Sequence, residues 1–207
     1  MWYSFVRFWA RLAMLTLFRI RVFGRENIPP SGAVVLASNH QSFLDPALVI
    51  VGIDRQIHFM ARKSLFERFR PFGWLIASLK AFPVSRDGGE ISAIREALRR
   101  LKKGSVLLAF PEGTRTFDGR VGPFKEGLFM MAARVGAVVV PTVVDGAYEA
   151  WPRGRLCFRP GTVCVGFAPP IASTDFGGDT ARLRTACREA VVKLHREIAE
   201  NRRCLQS

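Results

Sequence analysis

Acidic residues are scarce in this sequence, which has 17 Asp and Glu against 31 Lys and Arg among its 207 residues. The resulting net charge of +14 requires an anionic partner, which could be a nucleic acid, a membrane surface or a phosphorylated substrate. The basic residues are dispersed, and no block of interleaved aromatic and basic residues suggests nucleic-acid recognition. We therefore expect no nucleic-acid partner.

Cysteine is also sparse, and the four residues show neither CxxC nor paired Cys/His spacing. This spacing argues against a metal site and against a disulfide framework. Cys157 and Cys164 could face each other across a hairpin, but buried free thiols in a reducing compartment are expected. No repeat, low-complexity tract or linker divides the chain, so one sizeable α/β core with an N-terminal appendage is predicted.

The chain lacks the long apolar run of a membrane-spanning helix. Its N-terminal segment has no uncharged piece longer than residues 12–18, well short of the ~20 apolar residues that are needed. No small-residue cleavage site follows, so a signal peptide is not indicated. Ser4, Arg7 and Arg11 would form a narrow polar stripe opposite a broad apolar face, as in a helix that lies in a membrane interface. The alternative is a helix packed on the domain's own core.

Short apolar runs of strand length alternate with helical patterns along the rest of the chain. Strands are predicted near residues 20–23, 33–37, 56–61, 81–84, 106–110 and 137–144, and helices over 46–52, 62–80, 91–101, 124–135 and 179–200. Residues 155–158 and 162–167 are predicted to form a hairpin. The order and the fully apolar strands predict an α/β fold with a mostly parallel sheet flanked by helices. We divide the chain into a membrane-interface helix, residues 1–20, and an α/β domain, residues 21–207.

A histidine and an aspartate follow the predicted strand 33–37. His40 lies just past the strand end, and Asp45-Pro46 is suited to begin the next helix, with Asp45 as its N-cap. A turn between His40 and Asp45 would let the two side chains meet. An imidazole is the natural general base near neutral pH, and a carboxylate on its other ring nitrogen would fix its tautomer. The alternative is that Asp45 only caps the helix and His40 is an ordinary loop residue.

The two other histidines and the serine beside His40 are weaker candidates for chemistry. His58 falls in an alternating strand pattern and is predicted to be packed there, whereas His195 lies beside the apolar stripe of the last helix and is expected to be exposed. Ser42 lacks the GxSxG surroundings of a hydrolase nucleophile.

Two further polar segments follow predicted strands, and ligands collect at the carboxyl ends of parallel strands. Arg86 and Arg115 could each bind a phosphate in a bidentate manner, although a surface salt bridge is the alternative for Arg115. Gly113 would let the backbone approach a ligand, and Thr114 adds a hydroxyl group. A carboxylate repels phosphate, so we expect Glu112 to orient the arginines or to accept a hydrogen bond from a substrate hydroxyl.

Four sequence blocks, taken together, resemble a known family. These are Asn-His-Gln-Ser-Phe-Leu-Asp at 39–45, Phe-Pro-Val-Ser-Arg at 82–86, Phe-Pro-Glu-Gly-Thr-Arg at 110–115 and Val-Pro-Thr-Val-Val at 140–144. In order and spacing they resemble the PlsC-like lysophosphatidic acid (1-acylglycerol-3-phosphate) acyltransferases among the glycerolipid acyltransferases. The third block matches the family's motif letter for letter, and the second is the loosest match.

The resemblance implies an acyl transfer in which His40 deprotonates the free hydroxyl of a lysophospholipid while Asp45 holds and polarises the imidazole. The Val140-Pro141 segment would shape the acyl or thioester site. The residues implied to bind the phosphoglycerol portion of the acceptor are Arg86, Glu112, Gly113, Thr114 and Arg115. Because a thioester is already activated, one general base and oxyanion stabilisation suffice, and we expect no metal ion or cofactor.

The implied reaction moves a fatty acyl group from acyl-CoA or acyl carrier protein to 1-acylglycerol-3-phosphate and gives phosphatidic acid for phospholipid biosynthesis. The implied location is the cytoplasmic face of the cell (inner) membrane, with peripheral or monotopic attachment. The positive charge would contribute to this attachment at roughly 1 kcal/mol per well-placed basic residue. The alternatives are another acceptor, either glycerol-3-phosphate or an amino-acid lysolipid, and a non-catalytic basic membrane-binding module.

Overall fold

The computed structural model describes residues 2–84 and 90–204, which form an eight-stranded sheet with helices on both faces. The helices are α1 (Trp2–Leu17), α2 (Asp45–Gly52), α3 (Lys63–Glu67), α4 (Arg70–Ser78), α5 (Glu90–Lys102), α6 (Gly127–Val135), α7 (Ala147–Ala150) and α8 (Thr180–Cys204). The strands are β1 (Arg19–Phe23), β2 (Val34–Ser38), β3 (Ile57–Arg62), β4 (Ala81–Val84), β5 (Val106–Ala109), β6 (Val138–Asp145), β7 (Thr162–Phe167) and β8 (Ile171–Ala172).

The strand order across the sheet is β1-β7-β6-β2-β5-β3-β4, and β8 pairs with β6. Strands β2 to β6 run parallel to one another, whereas β7 is antiparallel to β6 and carries β1 in parallel on its outer side. The predicted mostly parallel sheet is therefore confirmed. Its parallel part brings the carboxyl ends of five strands to one edge.

The central strand β2 is buried along its whole length, which explains its uninterrupted apolar sequence. Val34 and Leu36 face a core that is shared with α1, α2 and α4. Val35 and Ala37 face a second core on the opposite side of the sheet, under α5, α6 and α8. With both faces covered, the sheet leaves its edges and strand ends for ligands.

The predicted hairpin is wrong. Residues 155–158 form no strand, and β7 instead lies between β1 and β6. The alternation of Arg155, Leu156, Cys157 and Phe158 imitates a half-buried strand, but all four residues are exposed and none has a strand neighbour. Alternation alone therefore did not identify the partner of β7.

The N-terminal helix α1 packs on the first core through Val6, Ala10 and Met14, and Arg7 and Arg11 of the polar stripe also face the protein. The Arg7 guanidinium donates to the backbone carbonyl of Asp54, and Arg11 donates to that of Val51 at 2.8 Å. The opposite face is exposed and continues to α4, where the Trp74 ring lies 5.3 Å from that of Trp2. We call this surface the aromatic platform; its residues are Trp2, Phe5, Phe8, Trp9, Leu12, Leu15, Phe72 and Trp74.

No helix within residues 2–84 and 90–204 is both long enough and apolar enough to cross a bilayer. Helix α1 ends at Leu17, Phe18 is buried, and β1 begins at Arg19. The predicted division at residue 20 therefore falls within an edge strand of the sheet. Cys164 and Cys187 are buried free thiols. Cys157 and Cys204 are exposed, because one lies in an irregular segment and the other in the last turn of α8.

His58 lies within β3, as predicted, and packs beside α5. Its Nδ1 accepts a hydrogen bond from the Arg100 guanidinium at 2.5 Å. Burial, together with the positive charge of Arg100, lowers the pKa of His58 to about 4. The imidazole is therefore neutral in the folded protein over a pH range in which an exposed histidine would take up a proton.

We predict that His58→Gln reduces the loss of stability on acidification. In the unfolded chain His58 binds a proton below about pH 6.5, whereas in the folded chain it does so only near pH 4. The wild-type protein should therefore lose stability as the pH falls through this range, and the variant should lose roughly 1 kcal/mol less, a figure reduced for solvent screening of a half-buried group. Thermal unfolding at pH 7 and pH 4.5 measures the difference. Equal losses in the two proteins would contradict this account of His58.

Candidate active site

The predicted catalytic pair, His40 and Asp45, lies between the end of β2 and the first turn of α2. Asp45 Oδ2 accepts hydrogen bonds from His40 Nδ1 at 2.7 Å and from the backbone N–H groups of Gln41 at 2.7 Å and Ser42 at 2.8 Å. Asp45 is fully buried. It is the first residue of α2 and not its N-cap, because Leu44 occupies the cap position without a side-chain hydrogen bond. The carboxylate is turned back to hold the loop, so the prediction that Asp45 caps the helix is wrong.

His40 is held on three sides. Its ring stacks on Phe110, with ring centroids 3.9 Å apart. Its backbone N–H donates to Glu112 at 3.0 Å, and its carbonyl accepts from the backbone N–H of Thr116 at 2.8 Å. Nε2 has no hydrogen-bond partner among the described residues, and about a fifth of the side chain is exposed. The ring is therefore fixed in orientation, with one nitrogen free to accept a proton.

Glu112 lies beneath this loop. Its carboxylate accepts the backbone N–H of His40 and that of Gly122, and burial raises its pKa above the ordinary value. These backbone contacts position the loop that carries the base. A contact between Glu112 and a substrate, or an orienting contact with the arginines, stays a prediction.

The next three residues of the Phe-Pro-Glu-Gly-Thr-Arg segment form an exposed turn and a cationic group. Gly113 adopts a φ of 73°, in the left-handed region that favours glycine, and Thr114 is exposed. The Arg115 guanidinium lies 3.6 Å from the centre of the Phe43 ring, and its Nη1 is buried without a partner among the described residues. No carboxylate among the described residues forms a salt bridge with Arg115.

Two arginines that the sequence did not single out stand near Arg115. Burial, and then the charges of Arg153 and Arg62, lower the pKa of Arg115. Arg62 ends β3, and Arg153 follows α7 with Nη1 3.5 Å from the hydroxyl of Thr114. Each has other basic residues nearby in the sequence, so the sequence alone does not mark it as a residue of the site. The position of Arg62 at the carboxyl end of a parallel strand could have identified it. Arg86 lies outside the described residues.

The amide side chains beside His40 join the strand-end loops to one another. Asn39 forms two hydrogen bonds with the backbone of Val144, at 2.8 and 2.9 Å. Gln41 donates to the carbonyl of Gly119 and accepts from the N–H of Tyr148, both at 3.1 Å. The loop after β2 is therefore bound to the segments that follow β5 and β6. Neither amide was predicted to have this role, although both flank the histidine.

The prediction that His195 is exposed is wrong. Its Nε2 lies 3.3 Å from Asp145 Oδ1 and 3.4 Å from the Gln41 amide nitrogen. Arg202 forms an ion pair with the other oxygen of Asp145. Burial would raise the pKa of Asp145, but hydrogen bonds from His195 and Arg202 hold it below its ordinary value. The buried carboxylate at the end of β6 thus draws two residues of α8 toward the site.

A family model and several known proteins match this chain in sequence. The family model described as Acyltransferase matches residues 19–145. A 1-acyl-sn-glycerol-3-phosphate acyltransferase of Bacillus subtilis is 30% identical over 184 residues, covering 88% of this chain and 89% of the relative. The chloroplastic enzyme LPAT1 of Arabidopsis thaliana is 33% identical over 151 residues, which is 72% of this chain. This chain spans less than half of that longer relative, 42% of its length.

A solved structure is similar over nearly the whole chain. It is the crystal structure of the 1-acyl-sn-glycerophosphate (LPA) acyltransferase PlsC from Thermotoga maritima, with a TM-score of 0.84 and 30% identity. The match covers 95% of this chain and 79% of that one. Because the family model matches more than half of the chain and the B. subtilis relative matches almost end to end, the chain belongs to the acyltransferase family.

Proposed function

We propose that this protein transfers a fatty acyl group from an acyl thioester to the free hydroxyl of 1-acylglycerol-3-phosphate and forms phosphatidic acid. The observation that carries the proposal is the 2.7 Å contact between His40 Nδ1 and Asp45, which leaves Nε2 unpartnered among the described residues at the edge where the arginines converge. The names of the relatives agree with this reaction.

The reaction needs one base, which takes a proton from the acceptor hydroxyl and later returns it to the leaving thiolate. His40 Nε2 accepts the proton of the acceptor hydroxyl as its oxygen attacks the thioester carbon, and Asp45 stabilises the imidazolium. The carbon–sulfur bond then breaks, the new ester bond remains, and the imidazolium returns the proton to the leaving thiolate. The stacked Phe110 ring and the Asp45 hydrogen bond keep Nε2 aimed at the acceptor throughout.

The arginines form the site for the acceptor's phosphate. Arg62, Arg115 and Arg153 come from three separate segments, and their like charges oppose one another. An anion placed between them relieves this repulsion, and a guanidinium can bind phosphate through two parallel hydrogen bonds. The predicted contributions of Arg86, Gly113 and Thr114 to the same site are part of this proposal.

Coenzyme A and acyl carrier protein both present the thioester that this chemistry requires, so the proposal includes either donor. It also includes the expectation that no metal ion or cofactor takes part. The proposed acceptor carries a phosphate, unlike an uncharged lipid. Assays with a panel of acceptors distinguish 1-acylglycerol-3-phosphate from glycerol-3-phosphate and amino-acid lysolipids.

Membrane attachment completes the proposal. The aromatic platform exposes tryptophan and phenylalanine rings, which are favoured at membrane interfaces, and arginines hold α1 to the body from its other side. Together with the net charge of +14, this surface supports peripheral or monotopic binding to the cytoplasmic face of the cell (inner) membrane.

We predict that His40→Ala abolishes acyl transfer and that Asp45→Asn lowers kcat/KM at least about 100-fold, within the range for general-base catalysis. An asparagine oxygen can still accept the three hydrogen bonds of Oδ2, but a neutral amide cannot stabilise the imidazolium. Acylation of 1-acylglycerol-3-phosphate by acyl-CoA or acyl carrier protein measures both effects, with thermal unfolding and vesicle binding as controls. Near-wild-type turnover by a folded His40→Ala protein would rule out His40 as the base.

We predict that Arg115→Lys raises KM for 1-acylglycerol-3-phosphate and reduces the preference over monoacylglycerol, which has no phosphate. Loss of a charge-assisted bidentate contact of about 1.5–3 kcal/mol corresponds to a loss of roughly 10- to 100-fold in kcat/KM. The matched control is Arg120→Lys, because Arg120 lies in the same connection between β5 and α6 and its side chain is 88% exposed. If both substitutions have the same effect, or if monoacylglycerol is the better acceptor for the wild type, Arg115 does not bind phosphate.

A further inference from the structure

The segment 151–159, which follows α7, projects an apolar tip into solvent. Its sequence is Trp-Pro-Arg-Gly-Arg-Leu-Cys-Phe-Arg, with no acidic residue. Leu156 is 96% exposed, the highest value among the exposed large hydrophobic residues of the described chain, and Phe158 is also exposed. Such a side chain is unfavourable in water unless another surface covers it.

The ends of this segment are fixed, so the exposure of its tip is part of the fold. Arg159 N–H donates to the carbonyl of Ala150 at 2.7 Å, which closes the segment at its base. Trp151 donates through its indole nitrogen to the carbonyl of Arg155 at 2.8 Å, and its own carbonyl accepts from the Ser42 hydroxyl at 2.9 Å. The apolar tip therefore extends from a fixed end of the segment, at Trp151, which contacts the His40 loop.

A row of rings joins this segment to both α1 and the candidate active site. The Phe158 ring lies 5.8 Å from that of Phe18, just after α1, and 6.2 Å from that of Trp151. Trp151 lies 5.9 Å from Phe43, over which the Arg115 guanidinium stacks. An apolar path thus runs from the C-terminal end of α1 past the tip to the proposed phosphate site.

We propose that residues 151–159 form a second membrane contact, separate from the aromatic platform, that binds an anionic lipid surface beside the active site. Leu156 and Phe158 would enter the interface, and Arg155 and Arg159 would meet lipid phosphates. Alternating cationic and apolar side chains suit this boundary, because each finds its preferred surroundings within one short segment. The absence of acidic residues from the segment favours anionic lipid over a basic or neutral partner surface.

This contact, which rests on the proposed function only for its effect on turnover, would place the mouth of the site against the bilayer. The acyl chain of the acceptor could then remain near Trp151 and Phe43 while its head group reaches Arg115. The lipid binding itself needs no assumption about catalysis.

The test compares Leu156→Glu with Met130→Glu in the full-length protein. Met130 is 57% exposed on α6, over the opposite face of the sheet, and both substitutions change the net charge equally. Co-sedimentation with vesicles of phosphatidylglycerol and phosphatidylcholine measures binding. We expect Leu156→Glu to weaken binding at least about tenfold, because the leucine side chain would no longer be buried in the interface, and Met130→Glu to change it less than twofold. Unchanged binding by Leu156→Glu, or an equal loss in both variants, would overturn the proposal.

A turnover measurement separates this proposal from the proposed function. Leu156→Glu should acylate vesicle-embedded 1-acylglycerol-3-phosphate at least about fivefold more slowly than wild type, and a short-chain acceptor dissolved as monomers at an unchanged rate. Equal loss on both acceptors would show that the segment shapes the site and would overturn the membrane assignment. If the wild type acylates neither acceptor, the proposed function fails, and the vesicle result still decides whether the segment binds lipid.

Discussion

One buried carboxylate oxygen, Oδ2 of Asp45, accepts hydrogen bonds from an imidazole and from two consecutive backbone amides. A buried charge is tolerated only where donors surround it, so the loop between β2 and α2 must close around this oxygen. The same closure orients His40. The same three hydrogen bonds therefore fold the loop and orient the His40 ring.

The surrounding sheet serves to bring other loops to this one. Because β2 lies between β5 and β6, the segments following those strands contact the His40 loop directly. Glu112 supports the backbone of His40 from the β5 side, and Asn39 is bonded to the β6 backbone at Val144. Parallel strands with common carboxyl ends thus convert distant sequence motifs into one site. Arg115 belongs to the segment after β5 and has no hydrogen bond to His40 among the described residues.

The sequence predicted those parts of the structure that depend on local pattern. The apolar run of β2, the helix over residues 91–101 and the pairing of His40 with a carboxylate five positions away all depend on short-range periodicity or turn chemistry. It could not predict features decided by distant partners. His195 is drawn inward by Asp145, and β7 pairs with β1 instead of forming a hairpin. Arg153 becomes recognisable only when the fold places its charge beside Arg115.

The Asp45 carboxylate contacts Nδ1 of His40, which makes Nε2 the basic atom of the proposed mechanism. Two-bond 1H–15N correlation spectra of protein labelled with 15N-histidine test this directly, because the chain has only three histidines and the His40 signals are identified by their loss in His40→Gln. At a pH where His40 is neutral, the account predicts a proton on Nδ1 and none on Nε2. A neutral His40 that carries its proton on Nε2 would contradict it.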